Sequence, residues 1–189
     1  MLPVGQIGGM TTWYERGAPR YVKPQTDARS RDGRDSTWES EAIMVADIIR
    51  VDVVDSEVVA GVRRLHAQVS SSAAAPSADD IAGIVAGPTT VLFVARERDE
   101  PRRVVGMLTL AMFRIPSGLR AWIEDVAVDE AARGQGIGEA LSRAAVDHAR
   151  AHGARTIELT SRPAREAANR LYRKLGFEIR NTNVYRLVL

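Results

Sequence analysis

The stretch that most constrains this chain is Trp122–His152, with the sequence WIEDVAVDEAARGQGIGEALSRAAVDHARAH. An apolar run predicts a buried strand, a glycine-spaced loop follows it, and helical periodicity begins near Ile137. Backbone N–H groups point outward at a helix start, where the partial charge is positive, and glycines let a ligand come close to the backbone. Arg133 adds a guanidinium suited to phosphate oxygens. We therefore predict a pyrophosphate site at this loop.

The composition excludes several other classes of chemistry. The 189 residues are 45% hydrophobic and 26% charged, as in an ordinary globular protein. The absence of cysteine excludes disulfides, a thiol nucleophile and cysteine-based zinc sites, and it is compatible with a reducing cytosol. A net charge of +2 does not indicate nucleic acid, and no apolar run approaches the roughly 20 residues of a membrane span. We expect a cytoplasmic protein that binds neither nucleic acid nor membrane.

The chain divides into an extension and one domain. Residues 1–40 are rich in turn formers and mixed charges, which predicts a flexible extension, although its aromatic residues are unusual for a linker and would be able to dock on the domain. Residues 41–189 form the domain, in the order β-α-α-β-β-β-α-β-α-β-β. Asp55 or Ser56 and Ser77 are predicted to cap the first two helices, and Gly106 to mark a bulge. Helices start at Ile137 and Pro163, and the last two strands are 177–179 and 184–188. This order predicts a mixed α/β (α+β) fold.

A second motif gives the loop its context. The loop Arg133-Gly134-Gln135-Gly136-Ile137-Gly138 is neither a Walker loop, which needs G-K-[ST], nor a Rossmann fingerprint. After the next strand, however, a helix ends in Leu171-Tyr172-Arg173-Lys174-Leu175-Gly176-Phe177. The two motifs at this spacing resemble the GNAT superfamily of N-acetyltransferases. The resemblance covers roughly residues 43–189 and is strongest over 122–177. It implies a mixed, centrally splayed β-sheet flanked by helices.

The resemblance also implies acetyl-CoA as co-substrate. The loop amides would hold the pyrophosphate, and the pantetheine arm would pair with the strand before the loop, where that strand splays from its neighbour at a bulge. Asn169 and Tyr172 match the family's contacts on the following helix, with Tyr172 beside the thioester sulfur. The residues predicted to bind the co-substrate are Val126, Ala127, Val128, Arg133, Gly134, Gln135, Gly136, Ile137, Gly138, Glu139, Asn169 and Tyr172.

The chemistry of amine acetylation fits these positions. A tyrosine is protonated at neutral pH and can donate to a departing thiolate, which makes Tyr172 the predicted general acid. A backbone N–H at the splayed strand, that of Val126, would stabilise the oxyanion. Glu124 or Asp125 would accept the amine proton. Adjacent strand residues point to opposite faces, so at most one of them is expected to face the substrate. Tyr172 packed only against Leu171 and Phe177 stays an alternative.

The sequence leaves the acceptor open. Ile123–Val128 (IEDVAV) is similar to the corresponding strand of glucosamine 6-phosphate N-acetyltransferases, which indicates an amino-sugar phosphate with Arg162 or Arg165 near the phosphate. A small-molecule amine of this kind is favoured over a peptide or protein amine. A non-catalytic acetyl-CoA-binding module is the alternative from another class. Terminal strands often pair between subunits in the family, so a homodimer is expected. His148 and His152 are one turn apart but have no third ligand nearby, so no metal is expected.

Overall fold

The computed structural model describes residues 46–70 and 74–188. The predicted extension, residues 1–40, lies outside the described residues, as do residues 43–45 of the predicted first strand. Within the described part no helix is long and apolar enough to cross a membrane. The cytoplasmic location stays a prediction.

Within the described residues, five strands form one mixed sheet in the order β1-β2-β3-β4-β5. Their bounds are Ala46–Arg50 (β1), Thr90–Glu97 (β2), Val104–Ile115 (β3), Gly118–Val128 (β4) and Thr156–Leu159 (β5). The first four strands pair antiparallel, and β5 pairs parallel to β4. This arrangement follows from the connections, because short turns join β2, β3 and β4 whereas a helical crossover joins β4 to β5. The predicted mixed fold is confirmed.

In the part of the chain that the structure describes, four α-helices flank the sheet, and local sequence fixes where they begin. They are Ser56–Val69 (α1), Ala78–Ala86 (α2), Ile137–Ala151 (α3) and Glu166–Lys174 (α4), and a short 3-10 helix covers Glu130–Ala132. The Asp55 carboxylate accepts from the Val58 N–H at 2.8 Å, which confirms it as the cap of α1. Ser77 and Asp80 cap α2 reciprocally, as expected for a capping box. The last helix begins at Glu166 rather than at the predicted Pro163, which lies in the turn before it.

The sheet has a separate apolar core on each face. Adjacent residues of β2 contribute to different cores: Phe93 packs in the core with α3, and Val94 in the core with α1 and α2. Because side chains alternate along a strand, α3 and the α1–α2 pair cover opposite faces. We call these the α3 face and the α1 face. The β2–β3 register shifts beside Gly106, which confirms the predicted irregularity.

Gly106 is required by the packing of α3 rather than by a turn. A Cβ at this position would stand 2.9 Å from Ile137 Cγ2 and 3.1 Å from Leu141 Cδ1. The first two turns of α3 therefore lie directly on the backbone of β3. This contact fixes the start of α3, where the glycine loop ends.

The two terminal strands predicted at 177–179 and 184–188 are wrong. Residues 177–188 pair with no described strand, and the large apolar side chains after Phe177 are between 72% and 88% exposed: Ile179, Val184, Tyr185, Leu187 and Val188. Apolar alternation is a property of the segment, whereas a strand also needs a partner for its backbone groups. Arg180 does hold the start of the segment beside β5, through a 2.7 Å ion pair with Glu158.

Candidate active site

Strand β4 loses its regular pairing on both sides at the same place. Parallel pairing with β5 covers Arg120–Ile123 and stops there. On the other side, the register with β3 shifts, so that Thr109 faces Glu124 but Met107 faces Ala127. Asp125 adopts a φ of 50°, in the left-handed region that non-glycine residues rarely occupy. The predicted bulge and splay are confirmed, and Val126–Val128 run along the splayed part of β4, while their role in binding stays a prediction.

The two bulge acids differ in their surroundings. Ala121 and Ile123 are buried in the core of the α3 face, so Trp122 and Glu124 lie on the opposite side of β4. There the Trp122 indole N–H donates to Glu124 Oε1 at 2.7 Å. Both acids are exposed. The structure thus gives Glu124 an oriented carboxylate beside an aromatic ring. Because residues two apart in a strand lie on the same side, the spacing of Trp122 and Glu124 was a sequence signal for this pair.

The glycine loop leaves its backbone open. Gly134 and Gly136 have φ of 80° and 78°, and a Cβ at either would meet no atom within 4 Å. Gly136 is also the N-cap of α3, and no side chain caps that helix. The first-turn N–H groups of α3 therefore lack a side-chain acceptor and suit an anion. This open backbone fits the pyrophosphate predicted for it.

The Arg133 guanidinium, predicted to contact the pyrophosphate, is hydrogen-bonded to other parts of the protein instead. Its Nη2 donates to Gln68 Oε1 on α1 at 2.9 Å, and its Nε donates to the Val128 carbonyl at 3.3 Å. The guanidinium thus joins the end of β4 to the end of α1. Nothing in the sequence indicated Gln68 as a partner, because 65 residues separate the two side chains.

Helix α4 meets the start of α3 at Gly138. A Cβ on Gly138 would stand 3.5 Å from Leu171 Cδ2 and 3.8 Å from Val128 Cγ2. One turn along α4, Lys174 Nζ contacts Glu139 Oε2 at 2.7 Å. The hydrogen bond from Lys174, followed by that from Arg143, lowers the pKa of Glu139. The end of β4, the glycine loop and the second motif therefore converge on one point.

Tyr172 lies on α4 with its ring half-buried. The ring stands edge-on to Phe177, with centroids 5.8 Å apart. Burial raises the pKa of the Tyr172 phenol, and the charge of Arg165 opposes the shift. A tyrosine with a raised pKa stays protonated throughout the neutral range. The packing alternative has support in the Phe177 contact, and the protonation state required of a general acid is also present.

The remaining predicted residues have structural partners. Asn169 Nδ2 donates to the carbonyls of Arg162 and Pro163, at 3.0 and 3.4 Å, and so holds the turn before α4. Gln135 Nε2 donates to the Ala131 carbonyl at 3.4 Å. His148 and His152 stack with centroids 4.1 Å apart. Among residues 46–70 and 74–188, no group of three or more histidine or carboxylate side chains is placed to hold a metal ion.

These features define a class of protein in which an uncapped helix N-terminus lies beside the end of a strand that splays from its parallel neighbour. Residues 51–177 match the model of the Acetyltransferase (GNAT) family. Because that match spans more than half of the chain, the protein belongs to the GNAT family and is an N-acetyltransferase. The predicted family is confirmed, and family members generally use acetyl-CoA as co-substrate. Comparison with curated protein sequences found no match.

Solved structures share the fold at low identity. An aminoglycoside acetyltransferase from an uncultured soil metagenomic sample, in complex with sisomicin, is 21% identical with a TM-score of 0.67, covering 79% of this chain and all of the other. A transcriptional regulator from Bacillus halodurans C-125 is 26% identical with a TM-score of 0.62, over 76% and 99% of the two chains. The glucosamine-6-phosphate N-acetyltransferase of Arabidopsis thaliana is 17% identical with a TM-score of 0.62, over 75% and 98%.

Proposed function

We propose that this protein transfers the acetyl group of acetyl-CoA to a primary amine, by direct attack within a ternary complex. The observation that carries the proposal is the convergence at Gly138 of the end of β4, the open glycine loop and the helix that bears Tyr172. Family membership supports the reaction class, and the geometry supports the assignment of roles. The acceptor and the steps below are part of the proposal.

The loop and strand would hold the co-substrate. The backbone N–H groups of Gly134 to Glu139 would donate to the pyrophosphate oxygens, because the glycines leave room and the α3 N-terminus favours negative charge. The backbone of Val126, Ala127 and Val128, beyond the last residue that pairs with β5, pairs with the amides of the pantetheine arm. Arg133 would either turn toward the phosphates or keep its hydrogen bond to Gln68 and so hold the start of the loop in place.

The chemical step would then use groups at the bulge and on α4. The neutral amine nitrogen attacks the thioester carbon, the carbonyl oxygen accepts the Val126 N–H, and the C–S bond breaks as the new C–N bond forms. The leaving thiolate takes the phenolic proton of Tyr172, which its raised pKa keeps in place until then. The surplus amine proton passes to a carboxylate at the bulge.

Glu124 is the stronger candidate for that carboxylate. Its Oε1 is held by the Trp122 indole at 2.7 Å, which fixes the side chain and leaves the second oxygen to accept a proton. Asp125 has the strained backbone of the bulge, so its contribution to the strand geometry is an alternative role. Glu124→Gln and Asp125→Asn separate the two, because only loss of the acceptor carboxylate raises the pH at which the rate reaches half its maximum.

A small amine, including an amino-sugar phosphate, is favoured as acceptor. The Trp122 ring and the Glu124 carboxylate on one side of β4 suit a compact amine with a ring face. Arg162 and Arg165 would lie near an acceptor phosphate, since both are exposed in the turn that leads into α4. Two structures of similar fold are described as acetyltransferases of aminoglycosides and of glucosamine 6-phosphate.

A panel assay tests the proposed function. The full chain is incubated with acetyl-CoA and amino sugars, amino-sugar phosphates, polyamines, amino acids and peptides, and CoA release is followed. Turnover of small amines is the expected result. Turnover of peptides alone would contradict the acceptor class, and tight acetyl-CoA binding without turnover of any amine would favour the non-catalytic module.

The terminal segment supports a homodimer. The five exposed apolar residues from Ile179 to Val188 lie around and after Arg180, whose ion pair with Glu158 ties the segment to β5. Strand β5 has a single neighbour within the described sheet. Pairing of this segment with β5 of a second copy would cover both surfaces. Sedimentation of the full chain and of Leu187→Asp tests this: a dimer that the substitution dissociates is expected, and a monomeric parent would contradict it.

A further inference from the structure

Ser161 has a buried hydroxyl with no partner. Its Oγ is inaccessible to solvent and forms no hydrogen bond within the part of the chain that the structure describes. The other buried side-chain atom of this kind there is Arg96 Nε, but Arg96 already donates to Asp55 through Nη2. Buried polar groups in native proteins nearly always have a partner, because an unpaired one loses its hydration without compensation. Ser161 therefore needs an explanation that the other residues do not supply.

The position of Ser161 places it at the splay. It follows the last residue of β5 that pairs with β4, Leu159, by two positions. Residues 160 and 161 follow the end of β5, and a chain that continues in the direction of the strand would advance about 7 Å over them, toward the part of β4 that contains the bulge. The turn that begins at the next residue, Arg162, is held by Asn169 of α4. Along the chain, Ser161 therefore lies between the end of β5 and the turn that leads into the helix bearing Tyr172.

The face of the sheet on which Ser161 lies indicates which substrate its hydroxyl would contact. Ile157 and Leu159 pack against the core of the α3 face, and the two-residue period, continued past the end of β5, would put Ser161 on the same face. Trp122 and Glu124, which we assign to the acceptor, lie on the other face. The ligand on the α3 face would be the co-substrate, whose arm contains amide groups that both donate and accept hydrogen bonds.

We propose that the Ser161 hydroxyl hydrogen-bonds an amide of the pantetheine arm of acetyl-CoA. This inference rests on the proposed function and adds a binding residue that lies outside both sequence motifs. The hydroxyl can donate to an amide carbonyl or accept from an amide N–H, so the bond needs no charge and no proton transfer.

The proposal predicts an unusual pair of effects for Ser161→Ala. Removing an unpaired hydroxyl costs the ligand-free protein nothing, so Tm stays unchanged or rises. Acetyl-CoA binding, measured by titration calorimetry on the full chain without acceptor, weakens about threefold to tenfold, as for the loss of one neutral hydrogen bond.

Ser77→Ala is the matched control, because its hydroxyl has partners. Ser77 Oγ accepts from the Asp80 N–H at 3.1 Å and contacts Asp80 Oδ2 at 2.7 Å. This variant should lower Tm and leave acetyl-CoA affinity unchanged, the reverse of Ser161→Ala.

Three results would overturn the inference in distinguishable ways. If Ser161→Ala binds acetyl-CoA with parental affinity, the proposed contact with the pantetheine arm is excluded, while the proposed function is unaffected. A fall in Tm as large as that of Ser77→Ala shows that the hydroxyl is structural. A parent chain that does not bind acetyl-CoA removes the proposed function together with the inference.

Discussion

Helices α3 and α4 both carry predicted site residues, yet they are held in different ways. Six of the fifteen residues of α3 are buried, and its start lies directly on the β3 backbone at Gly106. None of the nine residues of α4 is buried. It contacts the first turn of α3 through Leu171 at Gly138 and through the Lys174–Glu139 ion pair.

The difference suggests a division of labour between a fixed and an adjustable element. An anion site needs backbone amides that are already in position, and the packing of α3 provides that before any ligand binds. A proton donor that must follow the reacting sulfur is better placed on an element with few buried contacts, which has a low free energy of local opening. In this account α3 determines affinity and α4 determines rate.

The largest expected effect compares one leucine on each helix. Leu141 on α3 is fully buried, so Leu141→Ala should lower the free energy of unfolding by about 2–5 kcal/mol. Leu171 on α4 is half-buried, and Leu171→Ala should cost only about 1 kcal/mol. Urea unfolding of the two variants measures both values. Equal losses would contradict the contrast between the helices.

A smaller effect is expected on affinity, from two glycines with the same backbone conformation. Gly136 and Gly153 have φ of 78° and 77°, and neither has an atom within 4 Å of its Cβ position, but they lie at opposite ends of α3. Gly136→Asp should weaken acetyl-CoA binding at least about tenfold, because a carboxylate meets the phosphates. Arg133→Ala in the same chain should weaken it further if Arg133 turns toward the phosphates.

Gly153→Asp is the control for this measurement. It introduces the same backbone strain and the same charge away from the loop, so calorimetry should show parental acetyl-CoA affinity. Equal weakening in both variants would mean that strain, rather than the loop, is responsible.

The smallest effect concerns stability and pH on the α3 face. Burial, followed by the charges of His152 and Arg50, lowers the pKa of His148 to about 4. In the unfolded chain that pKa is about 6.5, so the unfolded state binds the proton more readily between these values. The contribution of His148 is complete above pH 6.5 and is lost as the pH falls toward 4.

Since the His148 ring is only half-buried, screening should limit this contribution to about 1 kcal/mol. His148→Leu should flatten the dependence of Tm on pH between 4.5 and 6.5, above the range in which the carboxylates with lowered pKa titrate. His66→Leu, on α1, is the comparison variant. An unchanged slope in His148→Leu would contradict the assignment.

Much of the fold was predictable because its signals are local. Asp55 and Ser77 begin helices through contacts within three residues, Gly136 begins one by its left-handed backbone, and strand bounds follow from apolar runs bounded by turns. The terminal strands failed for the opposite reason, since Val184–Val188 has the composition of a strand but pairs with no strand of the described sheet. Pairing is a property of two segments, and one segment's pattern does not determine it.

The same distinction between local and long-range signals applies to the candidate site. The loop and Tyr172 stand in contiguous motifs, and the bulge at Asp125 was expected from the resemblance. The Arg133–Gln68 bond and the Lys174–Glu139 pair join side chains 65 and 35 residues apart, and Ser161 is marked only by its lack of a partner. Such contacts depend on how elements pack, which local patterns do not specify.

The central claim is that α4 supplies the proton while α3 holds the co-substrate, and Tyr172→Phe tests it most directly. The variant keeps the ring that packs against Phe177 and removes only the hydroxyl. With the best acceptor of the amine panel, kcat should fall about a hundredfold while the acetyl-CoA Kd stays at the parental value. An unchanged kcat would contradict the account and leave Tyr172 as a packing residue.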